Sequence, residues 1–377
     1  MKTIHDIPII FSDKFPSDFD NRIQHWGFFT REEVEANRGR LLMLDFDFGG
    51  YCSLNCRDCY RKHNVIDEAL PRDLTYKEQL AVIDDAIKLG LRSVKICGKG
   101  EPTEHTRFLQ FMRDLSDRGI GAAVFTAGQV LGNDEKARRI NRRHGIKSAH
   151  HLCDELAKLK VSFMLKFQSF NPNLQDARVG AAGHTAVRDR ALLNLVDAGF
   201  TDSFPTRLAT CSNPIVKSTV SEVFDIYVWS RRRNIYPITA ALMVSGKQID
   251  RRFLLEHDIS DEEKSALWTR IYRWNIEHGL QTPEQIEAEG VSVLPGMHPC
   301  NQIAVGLYVS LTGNVIMCPG ATKSLGNIKD EDLSVIWRRY VETGANIGRF
   351  NCHCPPKDGI TIPANLYKRI LENLQRK

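Results

Sequence analysis

Short apolar segments alternate with segments of helical periodicity from residue 40 to residue 244, and this alternation limits the fold more than any other feature of the chain. The apolar runs are rich in Val, Ile, Leu and Phe and predict buried strands. They lie at 40–48, 93–97, 121–126, 161–167, 206–210 and 238–244. Segments of helical periodicity lie between them, for example at 75–90, 106–119, 148–160 and 185–199. Strands that alternate with helices form parallel sheets, so the pattern predicts an α/β fold whose sheet is either doubly wound or rolled into a barrel.

Different local patterns follow this region. A charged helical segment lies at 260–279, and Ser260 and Glu263 form a capping box at its start. The segment 304–320 predicts a β-hairpin, because apolar residues alternate on both sides of a turn at 312–314. The end of the chain therefore differs in structure from the alternating core.

Composition indicates an ordinary globular protein, with 42% hydrophobic and 26% charged residues in a chain of 377. The apolar run Ile7–Ile10 is too short for a signal peptide, and no later run approaches the roughly 18 apolar residues of a membrane span. We expect a cytoplasmic protein without membrane contact. In that reducing compartment, the ten cysteines are expected to be metal ligands or catalytic groups and not disulfides.

The net charge of +5 is mild, and two basic runs contribute to it, at 135–151 and 230–234. A solvated helix face explains such a run, and attraction of an anionic substrate or a nucleic acid is the alternative. Neither run has the interleaved aromatic residues of a single-strand binding groove, so a nucleic acid is not the expected partner.

Three cysteines follow the first predicted strand in a C-x3-C-x2-C array: Cys52, Cys56 and Cys59, with Tyr60 directly after them. Three thiolates are one fewer than a zinc site or an ordinary iron-sulfur cluster requires. His63 is available as the fourth ligand of a structural zinc site. The carboxyl ends of parallel strands meet at one edge of a sheet, so the loop GKGEPT at 98–103, after the second strand, is expected beside the triad.

The triad, the aromatic residue after it and its place behind the first strand resemble the radical SAM superfamily. The resemblance implies a partial (β/α)6 TIM-like barrel. It implies a 4Fe-4S cluster whose three cysteine-bound irons leave a fourth iron open for the amino and carboxylate groups of S-adenosylmethionine. A low-potential donor such as flavodoxin or ferredoxin would supply the electron that splits the cofactor. The products are methionine and a 5'-deoxyadenosyl radical, which abstracts a hydrogen atom from the substrate.

GKGEPT is similar to the GGEP motif of this superfamily, which lies along the methionine end of the cofactor, although Lys99 replaces the first glycine of the commonest form. Gly98 and Gly100 would let backbone groups approach the ligand closely. The resemblance also places Tyr60 near the adenine. Further candidates for the ribose and the carboxylate are residues expected at the ends of strands three to five. The cofactor-binding candidates are therefore Tyr60, Gly98, Gly100, Glu101, Pro102, Thr126, Gln168, Ser169 and Arg207.

A second cysteine set begins with Cys300 and Cys318, spaced C-x12-G-x4-C with Gly313 in the predicted hairpin turn. This spacing, with GNI at 326–328, resembles the start of SPASM and twitch domains. Because only Cys352 and Cys354 remain, we expect the shorter twitch type with one auxiliary 4Fe-4S cluster.

The pair Cys352 and Cys354 departs from the usual spacing of such domains, since a single residue, His353, separates the two cysteines. His353 could replace one ligand, as imidazole does in Rieske centres. A zinc ribbon built from Cys300, Cys318, Cys352 and Cys354 is the structural alternative.

Three cysteines belong to neither set. Cys153 lies within a predicted helix and is expected to be buried packing. Cys97 and Cys211 lie near the ends of strands two and five, on the expected cofactor edge. Packing explains both, and the catalytic alternative is return of a hydrogen atom from the thiol to a substrate radical.

The resemblance predicts the order of domains along the chain. It comprises an N-terminal extension at 1–40, a radical SAM core at 41–246, a helical linker at 247–295, an auxiliary-cluster domain of hairpin plus helix at 296–358 and a C-terminal helix at 359–377.

The predicted function is a radical SAM oxidoreductase that dehydrogenates a sugar-like or cyclitol-like small molecule, with the auxiliary cluster as electron acceptor. An epimerase that uses a cysteine hydrogen donor and a peptide-modifying maturase are the alternatives. The 40 residues before the first strand are fewer than the roughly 80 of a leader-binding module, which disfavours the maturase. A binding protein with two zinc knots is the alternative that is not an enzyme.

Overall fold

The computed structural model describes residues 2–59, 72–245, 250–344 and 354–376. Six strands pair in parallel, each with the next one in the chain. They are β1 Met43–Phe46, β2 Ser93–Ile96, β3 Gly121–Thr126, β4 Ser162–Lys166, β5 Leu208–Cys211 and β6 Tyr236–Ile238. Their order follows the chain without the reversal of a doubly wound sheet. The predicted α/β fold with a partial (β/α)6 TIM-like barrel is therefore confirmed.

Three later strands extend the same sheet beyond β1. They are β7 Gly306–Val309, β8 Asn314–Ile316 and β9 Gly326–Asn327. β7 pairs in parallel with β1, and β8 returns antiparallel to β7 through a turn in which Gly313 has φ +87°. The order within the described part of the sheet is β6-β5-β4-β3-β2-β1-β7-β8-β9. The predicted hairpin thus forms as part of the barrel sheet, and the predicted domain boundaries stay predictions.

Helix α1 Arg31–Ala36 precedes β1. Further helices lie between the parallel strands and pack on the outer face of the sheet. These are α2 Tyr76–Leu89, α3 Phe108–Asp117, α4 Asp134–Ile140, α5 Ala149–Lys158, α6 Pro172–Val179, α7 His184–Asp197 and α8 Val220–Arg231. In α2, for example, Thr75 and Glu78 form a capping box, and Gly90 ends the helix in the left-handed conformation. Its buried residues Val82 and Ile83 join the outer hydrophobic core.

The remaining helices belong to the C-terminal part of the chain. They are α9 Arg251–His257, α10 Asp261–Glu277, α11 Pro283–Glu289, α12 Gln302–Val305, α13 Leu333–Glu342 and α14 Leu366–Gln375. The predicted capping box of Ser260 and Glu263 is present at the start of α10. Helix α14 packs on α10, where the Asn373 side chain donates to the hydroxyls of Ser265 and Thr269. This contact brings the end of the chain back to the barrel.

Alternate strand residues face the barrel interior, as the pleat of a strand requires. Ala123 and Met164 belong to an inner hydrophobic cluster, whereas their neighbours Val124 and Phe163 belong to the outer core. Asp45 and Lys95 are in register with Ala123 and therefore also face inward. The barrel interior is thus largely apolar, and Asp45 and Lys95 are charged residues within it.

The sixth strand does not lie where the sequence pattern predicted it. The apolar run at 238–244 contributes only Ile238 to β6, and the following residues leave the sheet. Two backbone carbonyls of this segment accept hydrogen bonds from side chains instead of from a neighbouring strand. The Lys357 ammonium donates to the Ala241 carbonyl, and the Thr361 hydroxyl donates to the Leu242 carbonyl. The apolar character of this run is explained by burial beside a cavity and not by strand formation.

Among the helices that the structure describes, none is both long enough and apolar enough to cross a lipid bilayer.

Candidate active site

A cavity of about 300 Å³ lies at the carboxyl ends of the parallel strands, and it is lined by the triad and by the described members of the second cysteine set, Cys300, Cys318 and Cys354. Its size suits a small ligand, and its position matches the usual site of barrel proteins. Its wall contains predicted residues that lie far apart in the chain, namely Cys52, Cys56, Cys59, Cys97, Gly98, Gly100, Glu101, Thr126, Cys211, Cys300, Cys318 and Cys354.

The loop that carries the triad is fixed from outside the cavity by a small polar network. The backbone amide and hydroxyl of Ser53 donate to the Glu104 carboxylate at 2.8 and 2.6 Å. Lys136 forms an ion pair with the same carboxylate at 3.0 Å. Because Glu104 follows the Gly-rich loop, this network ties the triad loop to the loop after β2.

A buried charged residue lies inside the triad itself. The Asp58 side chain is fully buried and forms an ion pair with Arg178 at 2.8 Å, accepts a hydrogen bond from Gln168 at 3.1 Å, and lies 3.7 Å from Lys166 Nζ. Burial opposes ionisation of Asp58, but the charges of Lys166 and Arg178 outweigh it and hold its pKa below the ordinary value. Sequence reasoning missed this network; the one available signal was a lysine at the end of the apolar strand β4.

The thiols of the triad fit a bound cluster chemically. Burial raises the pKa of Cys52 to about 12 and also raises the pKa of Cys56. Iron binds thiolates, so cluster assembly must release these protons, and the positive irons compensate for the buried charge. The three cysteines of the triad lie on one cavity wall, which suits a cluster with one open iron. Among the described residues, no group of three or more Cys, His, Asp or Glu side chains is arranged to hold a single metal ion.

The two glycines of GKGEPT are required by contact between loops. A Cβ on Gly100 would lie 2.5 Å from the carbonyl oxygens of Gly49 and Tyr51, and a Cβ on Gly98 would lie 2.5 Å from Asp47 Oδ1. The Glu101 amide donates to the Tyr51 carbonyl at 2.8 Å. The backbone of the loop after β2 therefore packs directly against the backbone of the triad loop. This contact between loops requires glycine for a different reason from the predicted one, which was close approach of the backbone to a ligand.

Glu101 is buried, and its hydrogen bonds link the end of β2 to the end of β3. Its carboxylate accepts hydrogen bonds from the hydroxyls of Thr103 and Thr126, both at 2.6 Å, and from the amide of Ala127 at 2.8 Å. Burial raises its pKa above the ordinary value in spite of these bonds. Pro102 begins the short 3-10 helix Pro102–Glu104 directly after it. The predicted cofactor residues Glu101 and Thr126 thus share one hydrogen-bond network on the cavity wall.

Four predicted cofactor residues that the structure describes do not line the cavity: Pro102, Gln168, Ser169 and Arg207. Gln168 and Ser169 follow β4 but are buried behind its wall, where Gln168 holds Asp58 and Ser169 donates to Glu222 at 2.6 Å. Arg207 precedes β5 and so lies at the opposite end of the sheet, where its guanidinium donates to the carbonyls of Ala157 and Gly199. The expectation that Arg207 ends strand five is wrong, because Cys211 occupies that end.

Several predicted residues lie outside the described ranges, so their roles stay predictions. These are Tyr60, His63, Cys352 and His353.

The described members of the second cysteine set converge on the cavity from three segments. Cys300 precedes α12, Cys318 follows β8, and Cys354 lies near the end of the chain, where its amide donates to the Asp358 carboxylate at 3.0 Å. Burial raises the pKa of Cys318 and raises that of Cys354 to about 11, and the three thiols act on one another electrostatically. The hairpin therefore brings Cys318 back beside Cys300.

The three cysteines outside both sets lie in two different environments. Cys97 and Cys211 line the cavity, and burial raises the pKa of Cys211. Cys153 is fully buried in α5 within the outer core, away from the cavity.

A buried ion pair faces the cavity between the two cysteine sets. Lys95 Nζ lies 3.0 Å from Asp45 Oδ1 and 4.7 Å from the centre of the Trp26 ring. Gln302 lines the same wall, and neither its amide nitrogen nor its amide oxygen has a hydrogen-bond partner among the described residues. The cavity therefore offers charged and amide groups to a ligand at this part of its wall.

Comparison with known proteins gives two relatives by sequence. No protein-family model matches the chain. The tungsten-containing aldehyde ferredoxin oxidoreductase cofactor-modifying protein of Pyrococcus furiosus is 33% identical over 84 residues, which cover 22% of this chain and 23% of that protein. The mycofactocin maturase MftC of Mycobacterium ulcerans is 23% identical over 317 residues, which cover 81% of this chain and 77% of that protein.

Solved structures give a similar result. The chain matches SuiB of Streptococcus suis with a TM-score of 0.53 and 17% identity, over 79% of this chain and 66% of SuiB. It matches anSMEcpe, solved with bound AdoMet, with a TM-score of 0.58 and 12% identity, over 88% of this chain and 95% of that one. The chain thus spans less than two thirds of the Pyrococcus protein and of SuiB.

The chain therefore shares the fold of SuiB and of anSMEcpe, and it places the cysteine triad at the mouth of the barrel, where the resemblance to radical SAM enzymes expects it. The match to MftC extends through most of the chain.

Proposed function

We propose that this chain is a radical SAM oxidoreductase that removes hydrogen from a small polar molecule, with an auxiliary 4Fe-4S cluster as electron acceptor. The observation that carries the proposal is that the triad and the described members of the second cysteine set line one cavity. A substrate in that cavity would lie between a group that takes a hydrogen atom and a group that takes an electron. Loss of a hydrogen atom and an electron from one carbon centre, together with release of the proton of its hydroxyl group, is a two-electron oxidation to a carbonyl.

Cys52, Cys56 and Cys59 would hold the first cluster, and Cys300, Cys318, Cys352 and Cys354 the auxiliary one. When bound, the first cluster and S-adenosylmethionine supply the radical chemistry that removes hydrogen from the substrate. Lys166 lies on the cavity wall, and its ammonium charge acts on Cys56 and Cys59. That charge suits the carboxylate at the methionine end of the cofactor, which makes Lys166 a better candidate than Arg207.

The ion pair Asp45–Lys95 and the Gln302 amide would orient the substrate. They face the cavity interior beside Cys97 and Cys300. A hydroxyl can both donate to a carboxylate or amide oxygen and accept from an ammonium. These groups therefore suit a polyhydroxylated substrate such as a sugar or cyclitol.

Two alternatives have specific support. Cys97 and Cys211 lie on the cavity wall, so an epimerase in which one thiol returns a hydrogen atom remains the second candidate. The relative with the longest match is a maturase, which favours modification of a peptide as the third candidate.

Anaerobic reconstitution with iron and sulfide tests the proposal. We expect about eight irons per chain, as two 4Fe-4S clusters require, and release of 5'-deoxyadenosine from S-adenosylmethionine after reduction with dithionite. A colourless protein with two zinc ions and no cofactor cleavage would instead establish the zinc-knot alternative. Solvent deuterium at the reacting carbon of an otherwise unchanged product would favour the epimerase.

A further inference from the structure

Lys357 is a buried lysine on the cavity wall, next to the second cysteine set. Its side chain is fully buried, with the residue 4% exposed, and it lines the cavity with Cys300, Cys318 and Cys354. Among the residues that the structure describes, its Nζ has one hydrogen-bond partner, the Ala241 carbonyl at 2.9 Å, and forms no ion pair. The proposed chemistry so far assigns Lys357 no role.

The other two buried lysines within the described ranges each have a carboxylate partner. Lys95 pairs with Asp45 at 3.0 Å, and Lys264 pairs with Asp258 at 2.7 Å. Asp258 also acts on Lys357 at longer range, but its carboxylate is held by Lys264. A buried ammonium without a partner is costly, because burial removes its hydration. Among the described residues, no carboxylate gives Lys357 the neighbouring negative charge that Lys95 and Lys264 have.

The groups that face Lys357 can supply that charge. Cys300, Cys318 and Cys354 line the same cavity wall as Lys357. Thiolates bound to iron are anionic, and a 4Fe-4S cluster with cysteine ligands carries net negative charge that increases by one when it takes an electron. The same three cysteines thus become an anionic group when the auxiliary cluster forms.

The backbone fixes Lys357 relative to these cysteines. The Lys357 amide donates to the Cys354 carbonyl at 2.7 Å, and the amides of Thr361 and Ile362 donate to the Lys357 carbonyl, both at 3.0 Å. The side chain spans from this turn to Ala241, in the segment that follows β6. The ammonium is thus positioned in advance and does not depend on a mobile surface side chain.

We propose that Lys357 is the countercharge of the auxiliary cluster and raises its reduction potential, so that the cluster accepts an electron more readily. This inference rests on the proposed function, because it requires that the auxiliary cluster exists. An ammonium in a low-dielectric site stabilises the reduced cluster, which has the greater negative charge, more than the oxidised one. One electron enters the cluster, and no bond or proton changes.

The test is a redox titration of the full chain with dithionite, monitored by electron paramagnetic resonance. The parent carries Cys52→Ala, Cys56→Ala and Cys59→Ala, so that only the auxiliary cluster contributes to the signal. Lys357→Met removes the charge, Lys357→Arg keeps it, and Lys323→Met removes an exposed lysine five residues after Cys318 as a matched control.

We expect Lys357→Met to disfavour reduction at least tenfold, a shift of about 59 mV to more negative potential for a one-electron couple. Lys357→Arg should remain near the parent value. Lys323→Met should do the same, because solvent screens an exposed charge. Loss of iron in Lys357→Met but not in Lys357→Arg would also support the proposal, since charge would then be needed to retain the cluster.

Three results would overturn it. The potential of Lys357→Met could equal that of Lys323→Met, or Lys357→Arg could shift as far as Lys357→Met, which would indicate packing. Loss of iron in both Lys357 variants would likewise indicate packing. A parent that binds no iron would instead reject the auxiliary cluster itself, and with it the electron acceptor of the proposed function.

Discussion

Asp58 stands between two cysteines of the triad, yet it is as buried as the hydrophobic core. Its pairs with Arg178 and Lys166 place two positive charges beside a group of thiols that must become anionic when iron binds. Arg178 is held on the Asp58 side, whereas Lys166 also reaches the cavity. At the scale of single residues, Lys166 is therefore the cation that can serve a bound ligand.

The affinity for S-adenosylmethionine should depend on Lys166. We expect Lys166→Met to weaken binding roughly 10- to 100-fold, the loss typical of a hydrogen bond to a charged group. Equilibrium dialysis with the reconstituted, unreduced enzyme measures it, and the iron content shows whether the cluster is retained. Lys147→Met, which removes an exposed lysine, is the control. Unchanged affinity in Lys166→Met with full iron content would contradict the assignment.

Substitution of Cys300 should affect substrate oxidation but not cleavage of S-adenosylmethionine. We expect Cys300→Ala to retain reductive cleavage of S-adenosylmethionine but to reduce substrate oxidation by at least about 100-fold, because metal affinity depends strongly on each ligand. Chromatography of 5'-deoxyadenosine and of oxidised product measures both activities in one reaction. Cys153→Ala, in the outer core, is the control and should leave the ratio of the two products unchanged. Equal loss of both activities in Cys300→Ala would place Cys300 in the first step instead.

At the scale of elements, the loops after β1 and β2 act as one unit. Gly100 lies against the carbonyls of Gly49 and Tyr51, and Glu104 holds Ser53. Each loop fixes the other, so the position of the triad depends on a loop that contributes no thiol. This coupling explains why the two motifs occur together at one edge of the barrel.

Gly100→Ala should therefore disturb the cluster without unfolding the barrel. A Cβ 2.5 Å from two backbone oxygens forces the loops apart at a cost of about 1–3 kcal/mol. We expect lower iron occupancy at the triad and slower cofactor cleavage, measured by iron content and by 5'-deoxyadenosine release. Gly119→Ala replaces a glycine of positive φ that has no atom within 4 Å of a Cβ. If this control lost as much iron as Gly100→Ala, general destabilisation would explain the result.

The strands could be predicted from the sequence where burial in the sheet is the only reason for an apolar run. Strands β1 to β5 are short apolar runs between helices, and the pattern located all of them. The run at 238–244 has the same composition, yet its carbonyls bind the side chains of Lys357 and Thr361, more than 100 residues away. No local pattern contains that information.

The site could be predicted to the extent that its residues form compact motifs. The triad, GKGEPT and the spacing from Cys300 to Cys318 are such motifs, and the structure brings their described residues to one cavity. Lys166, Asp58 and Lys357 could not be predicted, because their importance arises from burial beside segments that are distant in the chain. Arg207 was misplaced because the amino and carboxyl ends of a strand have similar composition.

At the scale of the whole molecule, the end of the chain joins the two sides of the barrel. The segment 354–362 carries Cys354 and bonds to the residues after β6, while Cys300 and Cys318 flank the strands added beside β1. A cluster bound by these cysteines would therefore connect the β6 side of the sheet to the β7 side. Its removal should loosen particular segments and not the whole fold.

Hydrogen exchange of the chain before and after reconstitution tests this expectation. A ligand that binds only the native state stabilises the elements it connects, and metal binding couples directly to folding. We expect iron removal to increase amide exchange in 239–245 and 354–376 at least tenfold, while β2 to β4 change little, since their core is complete without the cysteines. The triple variant Cys52→Ala, Cys56→Ala and Cys59→Ala isolates the effect of the auxiliary site. Uniform faster exchange throughout the barrel would contradict a connecting role, and unchanged exchange in 354–376 would show that α14 holds this segment through its contact with α10 alone.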